Sequence, residues 1–230
     1  MKIFIDSANV NEITKWMEMG IIDGVTTNPS IMLKDGIYDI DAGGKKITKL
    51  VHPMPVSLEV TTDDLPQMLA QGRKLARIAS NAVIKIPQVT RAGVPCYGVI
   101  RQLEKEGIKV NATVAMSFGQ VMLAAKSGAT YISIFAGRVG DEGGDAPQLI
   151  ADSVEWLDRW SYGSEIIVGS IRSVADIWTA ALAGAHIITI PPQFLNLLAD
   201  HKYSRATVEQ FLNDANKALG IMKVPAKKKK

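Results

Sequence analysis

Short apolar runs recur along the chain, each followed by a longer stretch with helical spacing. Residues 2–6, 23–27, 55–60, 82–87, 108–114, 130–135, 165–169 and 186–190 read as strands. Between them, Asn9 or Asn11 caps a helix that ends near Met19, where Gly20 is a stop. Pro29 forces Asn28 away from helical angles, and residues 30–32 form a short helical turn. Residues 36–44 read as a Gly/Asp-rich loop and 45–51 as helix. Further helices are expected from Asp63 or Asp64 to about 80, and over 91–106, 117–127, 147–160, 174–183, 192–200 and 204–218. Gly93 and Pro95 leave the start of the 91–106 helix ill-defined, and 137–144 read as a loop rich in glycine and charge.

Strand alternates with helix across short loops, which implies parallel strands joined by helical crossovers. About eight strands in this length favour an α/β fold of the closed (β/α)8 TIM-barrel type over an open doubly wound sheet, which is the alternative. No linker divides the chain, so a single domain over 1–219 is expected, including the C-terminal helix, with 220–230 as a Lys-rich tail. Neither a GxGxxG segment after the first strand nor a Walker loop is present.

Composition adds exclusions. The chain has 230 residues, 47% of them apolar, enough for a sizeable core. Its net charge of +3 belongs to the end: Lys227–Lys230 supply four of 26 basic residues, leaving 22 against 23 acidic ones. That terminus reads as a solubilising tail, and no nucleic-acid partner is expected. One cysteine, Cys96, fits a reducing cytoplasm. His52, His186 and His201 are scattered, so no metal site and no cofactor are expected. No run approaches a membrane span, and the charged N-terminus does not look like a signal peptide.

The fourth strand, Ala82-Val83-Ile84-Lys85-Ile86-Pro87, carries a lysine inside an apolar run. A charged side chain is expensive to bury without a partner. An amine in such a pocket is a nucleophile that forms a Schiff base with a carbonyl. Taken alone, the strand fits better a lysine whose amine snorkels to water. The other strand ends shift that balance. In a barrel the active site lies at the C-terminal ends of the strands. Asp6 ends the first strand, Thr26 and Asn28 the second, and Glu59 lies near the end of the third. Asn111 and Thr113 belong to the fifth strand, Ser133 and Phe135 to the sixth, while the eighth ends bare at Ile190-Pro191. Singly, Asp6 and Asn28 read as turn caps, and Thr113 and Ser133 as hydroxyls bonded to backbone. Together they fit better as one polar cluster around Lys85. Arg138 and Arg172, with Ser170, stand beyond the sixth and seventh strands. Their guanidinium forks suit a phosphate, or else pair with acids such as Asp141 or Asp176.

Asp6, the segment Gly24-Val25-Thr26-Thr27-Asn28-Pro29-Ser30, the segment Val83-Ile84-Lys85-Ile86-Pro87 and Gly169-Ser170-Ile171-Arg172 together resemble the transaldolase family. The short subfamily, small transaldolases and fructose-6-phosphate aldolases, is the nearest likeness, and it covers residues 1 to about 219. The resemblance implies a class I aldolase barrel acting on sugar phosphates without a cofactor. Lys85 would form the Schiff base, and Asp6 would transfer protons. Glu59 and Thr113 would hold a proton-shuttling water. Thr26, Asn28, Asn111 and Ser133 would contact the three-carbon unit, and Arg138, Ser170 and Arg172 would bind the phosphate. Within the resemblance, Glu59 and Phe135 sit on the transaldolase side, where the aldolases carry glutamine and tyrosine. The implied activity is transfer of a dihydroxyacetone unit from sedoheptulose 7-phosphate or fructose 6-phosphate to an aldose phosphate, in the pentose phosphate pathway. The alternatives are an aldolase that releases dihydroxyacetone and a non-catalytic sugar-phosphate-binding barrel. The resemblance also implies a cytoplasmic homo-oligomer, a pentamer or decamer.

Overall fold

The computed structural model describes residues 1–222. The Lys227–Lys230 tail lies outside them. The chain forms two compact units, Met1–Pro192 and the remainder from Gln193. The first is a closed parallel barrel of eight strands paired in sequence order. These are β1 (Lys2–Asp6), β2 (Gly24–Thr26), β3 (Val56–Glu59), β4 (Ala82–Pro87), β5 (Val110–Ala115), β6 (Tyr131–Phe135), β7 (Glu165–Gly169) and β8 (Ile187–Ile190). Helices α1 (Val10–Glu18), α2 (Pro29–Lys34), α3 (Ile40–Val51), α4 (Leu65–Ala76), α5 (Tyr97–Lys105), α6 (Phe118–Lys126), α7 (Ala136–Asp141), α8 (Ala146–Arg159) and α9 (Val174–Leu182) fill the crossovers. After β8 come α10 (Pro192–Ala199) and α11 (Lys202–Met222).

Side-chain caps mark many helix starts. Asn9 accepts from two backbone amides of α1, and Asp64 and Ser117 each accept from one of α4 and α6. Ser173 and Asp176 form a capping box at α9.

Three expectations are corrected. Helix α3 begins at Ile40, because Asp39 caps it by accepting from Ala42 N. Gly43 and Gly44 lie inside that helix where neighbours crowd it. A Cβ on Gly43 would overlap Ile37, and one on Gly44 would lie 3.0 Å from Leu58. Residues 91–96 are not helical. Residues 88–96 form a small hairpin with an antiparallel bridge between Val89 and Pro95, turning through Gly93 at φ 79°. Pro95 and the left-handed glycine deny this stretch a helix, and α5 starts only at Tyr97. Finally, the expected 137–144 loop holds the short helix α7.

The barrel interior is layered. Phe4, Val83, Tyr131, Ile167 and Ile187 form a buried cluster contributed by five strands. Phe4 and Tyr131 meet edge to face, with centroids 6.3 Å apart. Residues two positions on point to the same side of a strand. Above this apolar layer therefore stand Asp6, Lys85, Ser133, Gly169 and Thr189. Gly24, paired in register with Phe4, leaves room for the Phe4 ring. An added Cβ there would lie 2.7 Å from the ring. Gly24→Ala is expected to destabilise the barrel by about 1–3 kcal/mol through overpacking. A denaturant melt with an unchanged midpoint would show that the Phe4 layer is not tightly packed.

Candidate active site

Strand register brings the polar groups together. Asp6 pairs with Thr26, and Glu59, Lys85 and Asn111 stand side by side on β3, β4 and β5. Lys85 is only 4% exposed. Its Nζ donates to the Thr27 carbonyl at 3.0 Å and pairs with Glu59 Oε2 at 3.2 Å. The buried amine thus has partners from β3 and from the residue just after β2, which a snorkelling lysine would not need.

Lys85 faces a cavity of about 190 Å³ at the C-terminal end of the strands. Asp6, Thr26 and Asn28 line one side, and Ser133, Phe135, Arg138 and Ser170 the other. Asn28 does two things: it lines the cavity and caps α2 by accepting from Ile31 N at 2.8 Å. Asp6 caps no turn. Asp35 takes that role, accepting from Ala8 N at 2.9 Å. Asp6 Oδ1 instead accepts from the Thr26 hydroxyl at 2.7 Å.

Behind the wall, Asn111 has both ends of its amide engaged. It accepts from Ser133 Oγ at 2.7 Å and donates to Ser57 Oγ at 3.3 Å. Its side chain is therefore held in one orientation. Thr113, two residues further along β5, is fully buried, and its hydroxyl has no hydrogen-bond partner. Just after it β5 bulges: its register with β6 shifts between Ala112 and Ala115, and Val114 has φ 64°. A β-branched residue in that region is strained, as often seen beside functional groups. Ser170, at the end of β7, has φ 59° and is bent into the cavity wall.

Arg172 is not brought into this cavity. It lines a neighbouring cleft of about 610 Å³ between α7, α8 and α9. There Nη2 pairs with Asp141 at 2.5 Å, and the backbone N–H of Arg172 donates to Asp176 at 2.8 Å. The two spaces adjoin at Gly137, where an added Cβ would overlap the Ser170 carbonyl and lie 2.8 Å from Arg172 Nε. Thr189 also lines the Lys85 cavity, and its Oγ lies 2.5 Å from Thr26 Oγ. The sequence offers Ile190-Pro191 as the bare end of β8, which leaves Thr189 unmarked. The inward face of a strand alternates, and Thr189 is the inward residue one step earlier. The alternation itself was the available signal.

Among the described residues no group of three or more His, Cys, Asp or Glu is placed to hold a metal ion. Burial pushes the thiol of Cys96 up to about 11, so it is protonated at neutral pH and a poor nucleophile. Asp6 is raised above the ordinary carboxylate range. Burial is the main cause, Glu59 and Asp35 add to it, and Lys85 and the Thr26 hydroxyl oppose it. The arrangement sets an amine nucleophile beside a carboxylate able to exchange a proton, with a guanidinium and a hydroxyl at the far wall.

A raised Asp6 has a stability consequence of definite sign. The folded state holds that proton more tightly than the unfolded chain, so this group's contribution falls as pH rises from the ordinary carboxylate range through the raised value. Asp6→Asn is therefore expected to melt higher than wild type at neutral pH. The advantage should vanish below about pH 4, where the carboxyl is neutral in both states. Thermal scans across pH check this, and an Asn variant that melts no higher at neutral pH contradicts it.

Comparison with known proteins gives the family. The family model for transaldolase/fructose-6-phosphate aldolase matches residues 3–228. A protein of Desulfotalea psychrophila named probable transaldolase is 42% identical over 217 residues, covering 94% of this chain and 99% of its own length. One of Lactiplantibacillus plantarum, with the same name, is 42% identical and covers 93% of this chain and 96% of its own. Among solved structures, a 2,3-dimethylmalate lyase of the PEP mutase/isocitrate lyase superfamily superposes with a TM-score of 0.57 at 16% identity. It covers 99% of this chain and 84% of its own, a likeness of fold alone. With the barrel, the Lys85 cavity and a family match along nearly its whole length, the chain belongs to the transaldolase/fructose-6-phosphate aldolase family.

Proposed function

We propose that the protein is a transaldolase that moves a dihydroxyacetone unit from a ketose phosphate to an aldose phosphate. The donor would be fructose 6-phosphate or sedoheptulose 7-phosphate. The observation that carries this is Lys85, buried and paired with Glu59 at 3.2 Å, facing a cavity that it shares with Asp6. Lys85 attacks the ketose carbonyl and loses water to form an iminium. Asp6 takes the proton of the C4 hydroxyl as the C3–C4 bond breaks. The bonding electrons pass into the iminium, and the aldehyde leaves. Proton transfer by such a carboxylate contributes typically about 10²–10⁴-fold. Glu59 and the unpartnered hydroxyl of Thr113 hold the water that carries protons during Schiff-base formation and release. Asn28, Thr26 and Ser133 contact the three-carbon unit, with Asn111 fixing Ser133.

Arg138 and Ser170 face the phosphate from the cavity wall. Arg172 joins them by exchanging Asp141 for the phosphate. That pair is half exposed, with side chains 53% and 50% accessible, and such pairs are worth roughly 0–1 kcal/mol, so it yields readily to a bidentate phosphate contact. Phe135 lines the cavity and has no proton to give. The carbanion therefore persists until an acceptor aldehyde arrives, which favours transfer over release. Acting on phosphorylated sugars, such an enzyme fits the cytoplasm and the pentose phosphate pathway.

The direct test is borohydride trapping with fructose 6-phosphate. A three-carbon mass should appear on Lys85 and be lost in Lys85→Ala. If no ketose phosphate gives an adduct, a binding barrel is the better reading. Free dihydroxyacetone produced without acceptor, at a rate matching transfer, would point to an aldolase instead.

The same reading includes a homo-oligomer, a pentamer or decamer. Helix α11 carries Val208, Phe211 and Leu212, each more than half exposed in one chain. We assign this face to a neighbouring copy. Phe211→Glu is expected to lower the mass seen by light scattering while leaving the barrel folded. A monomer in both proteins would refute the assignment.

A further inference from the structure

We propose that Thr189 is a positioning residue for Asp6: its hydroxyl donates to Thr26, and Thr26 donates its only proton to Asp6. The direction follows from counting protons. An ionised carboxylate only accepts, and a hydroxyl has one proton. Thr26 Oγ lies 2.7 Å from Asp6 Oδ1, so its proton is committed there. Thr189 Oγ lies 2.5 Å from Thr26 Oγ, and two oxygens that close need a proton between them. Thr189 must supply it.

The fold holds this chain of donors in one orientation. β1 lies between β8 and β2, so hydroxyls from both neighbours meet beside the strand that carries Asp6. Thr189 is 5% exposed and Thr26 2%, which shields the pair from bulk water. The methyl group of Thr189 faces Gly169, where an added Cβ would lie 3.3 Å away. A β-branched side chain has few χ1 choices, so a seated methyl also aims the hydroxyl.

The catalytic consequence rests on the proposed role of Asp6 in proton transfer. With Oδ1 engaged by Thr26, Oδ2 is the oxygen left to take the substrate proton. Donors in series polarise one another, so Thr189 strengthens the Thr26 hydrogen bond to the ionised carboxylate. It acts alongside the other groups that bear on Asp6: Lys85 from β4, Glu59 from β3 and Asp35 after α2, with Arg138 on the same cavity.

The test reads Asp6 directly, by carbon-13 NMR titration of its carboxyl in the full-length protein, assigned with Asp6→Asn. Thr189→Val keeps the shape and removes the donor. Its Asp6 midpoint should rise by roughly 0.3–0.6 unit, about two- to fourfold in proton affinity. Thr189→Ser should restore it. If valine is not accommodated, Thr189→Ala carries the same expectation. The acid limb of the kcat profile should move the same way while KM holds. A midpoint unmoved in the valine and alanine variants overturns the proposal. Trapping on Lys85 in the same samples separates the two ideas. A shifted midpoint without any trapped adduct in wild type sinks the Schiff-base reading and leaves the hydroxyl chain standing. A normal adduct with an unmoved midpoint does the reverse.

Discussion

One buried cation governs the layout of this barrel. Lys85 is almost wholly enclosed, and an ammonium there is tolerable only with a carboxylate and a carbonyl in reach. Glu59, on β3, and the carbonyl of Thr27, just after β2, meet that demand, and both precede β4 in the chain. The register of β2, β3 and β4 is thereby tied to chemistry as well as to packing. A slip of one residue would turn Lys85 toward the helices and leave Glu59 without its cation.

The polar layer around Lys85 stands on an apolar one. Each of Phe4, Val83, Tyr131, Ile167 and Ile187 lies two residues before a position in the upper layer. The same alternation thus builds a plug and then a polar cavity. The five plug side chains are buried, which shields the groups above them on the N-terminal side. This is why neighbours matter to Asp6: Lys85, Glu59, Asp35 and Thr26 all bear on its proton.

Most of the strands were legible because each is a short apolar run between turn residues, and β4 and β7 fall on the expected bounds. Reading them in order also put Asp6, Thr26, Asn28, Lys85, Ser133, Phe135, Arg138 and Ser170 at one end, where they line one cavity. What escaped was non-local. Gly43 and Gly44 look like loop residues until Ile37 and Leu58 are seen pressing on their helix. The hairpin at 88–96 depends on a bridge between Val89 and Pro95 that no helical periodicity reveals. Thr189 is marked as inward by strand alternation, but its pairing with Thr26, 163 positions away, is visible only in the fold. The sequence favours a phosphate for Arg172, whereas in the structure its guanidinium rests on Asp141, contributed by a different crossover.

That resting pair bears on how the site meets ions. In the proposed reaction Arg172 would leave Asp141 to reach a phosphate, so two electrostatic attachments would compete for one guanidinium. Added salt screens both, loosening the hold of Asp141 while weakening the pull of the substrate. The two effects oppose each other. On that proposal, an arginine stored on an exposed acid would partly buffer phosphate affinity against changes in ionic strength, which an arginine standing free in the cavity would not do.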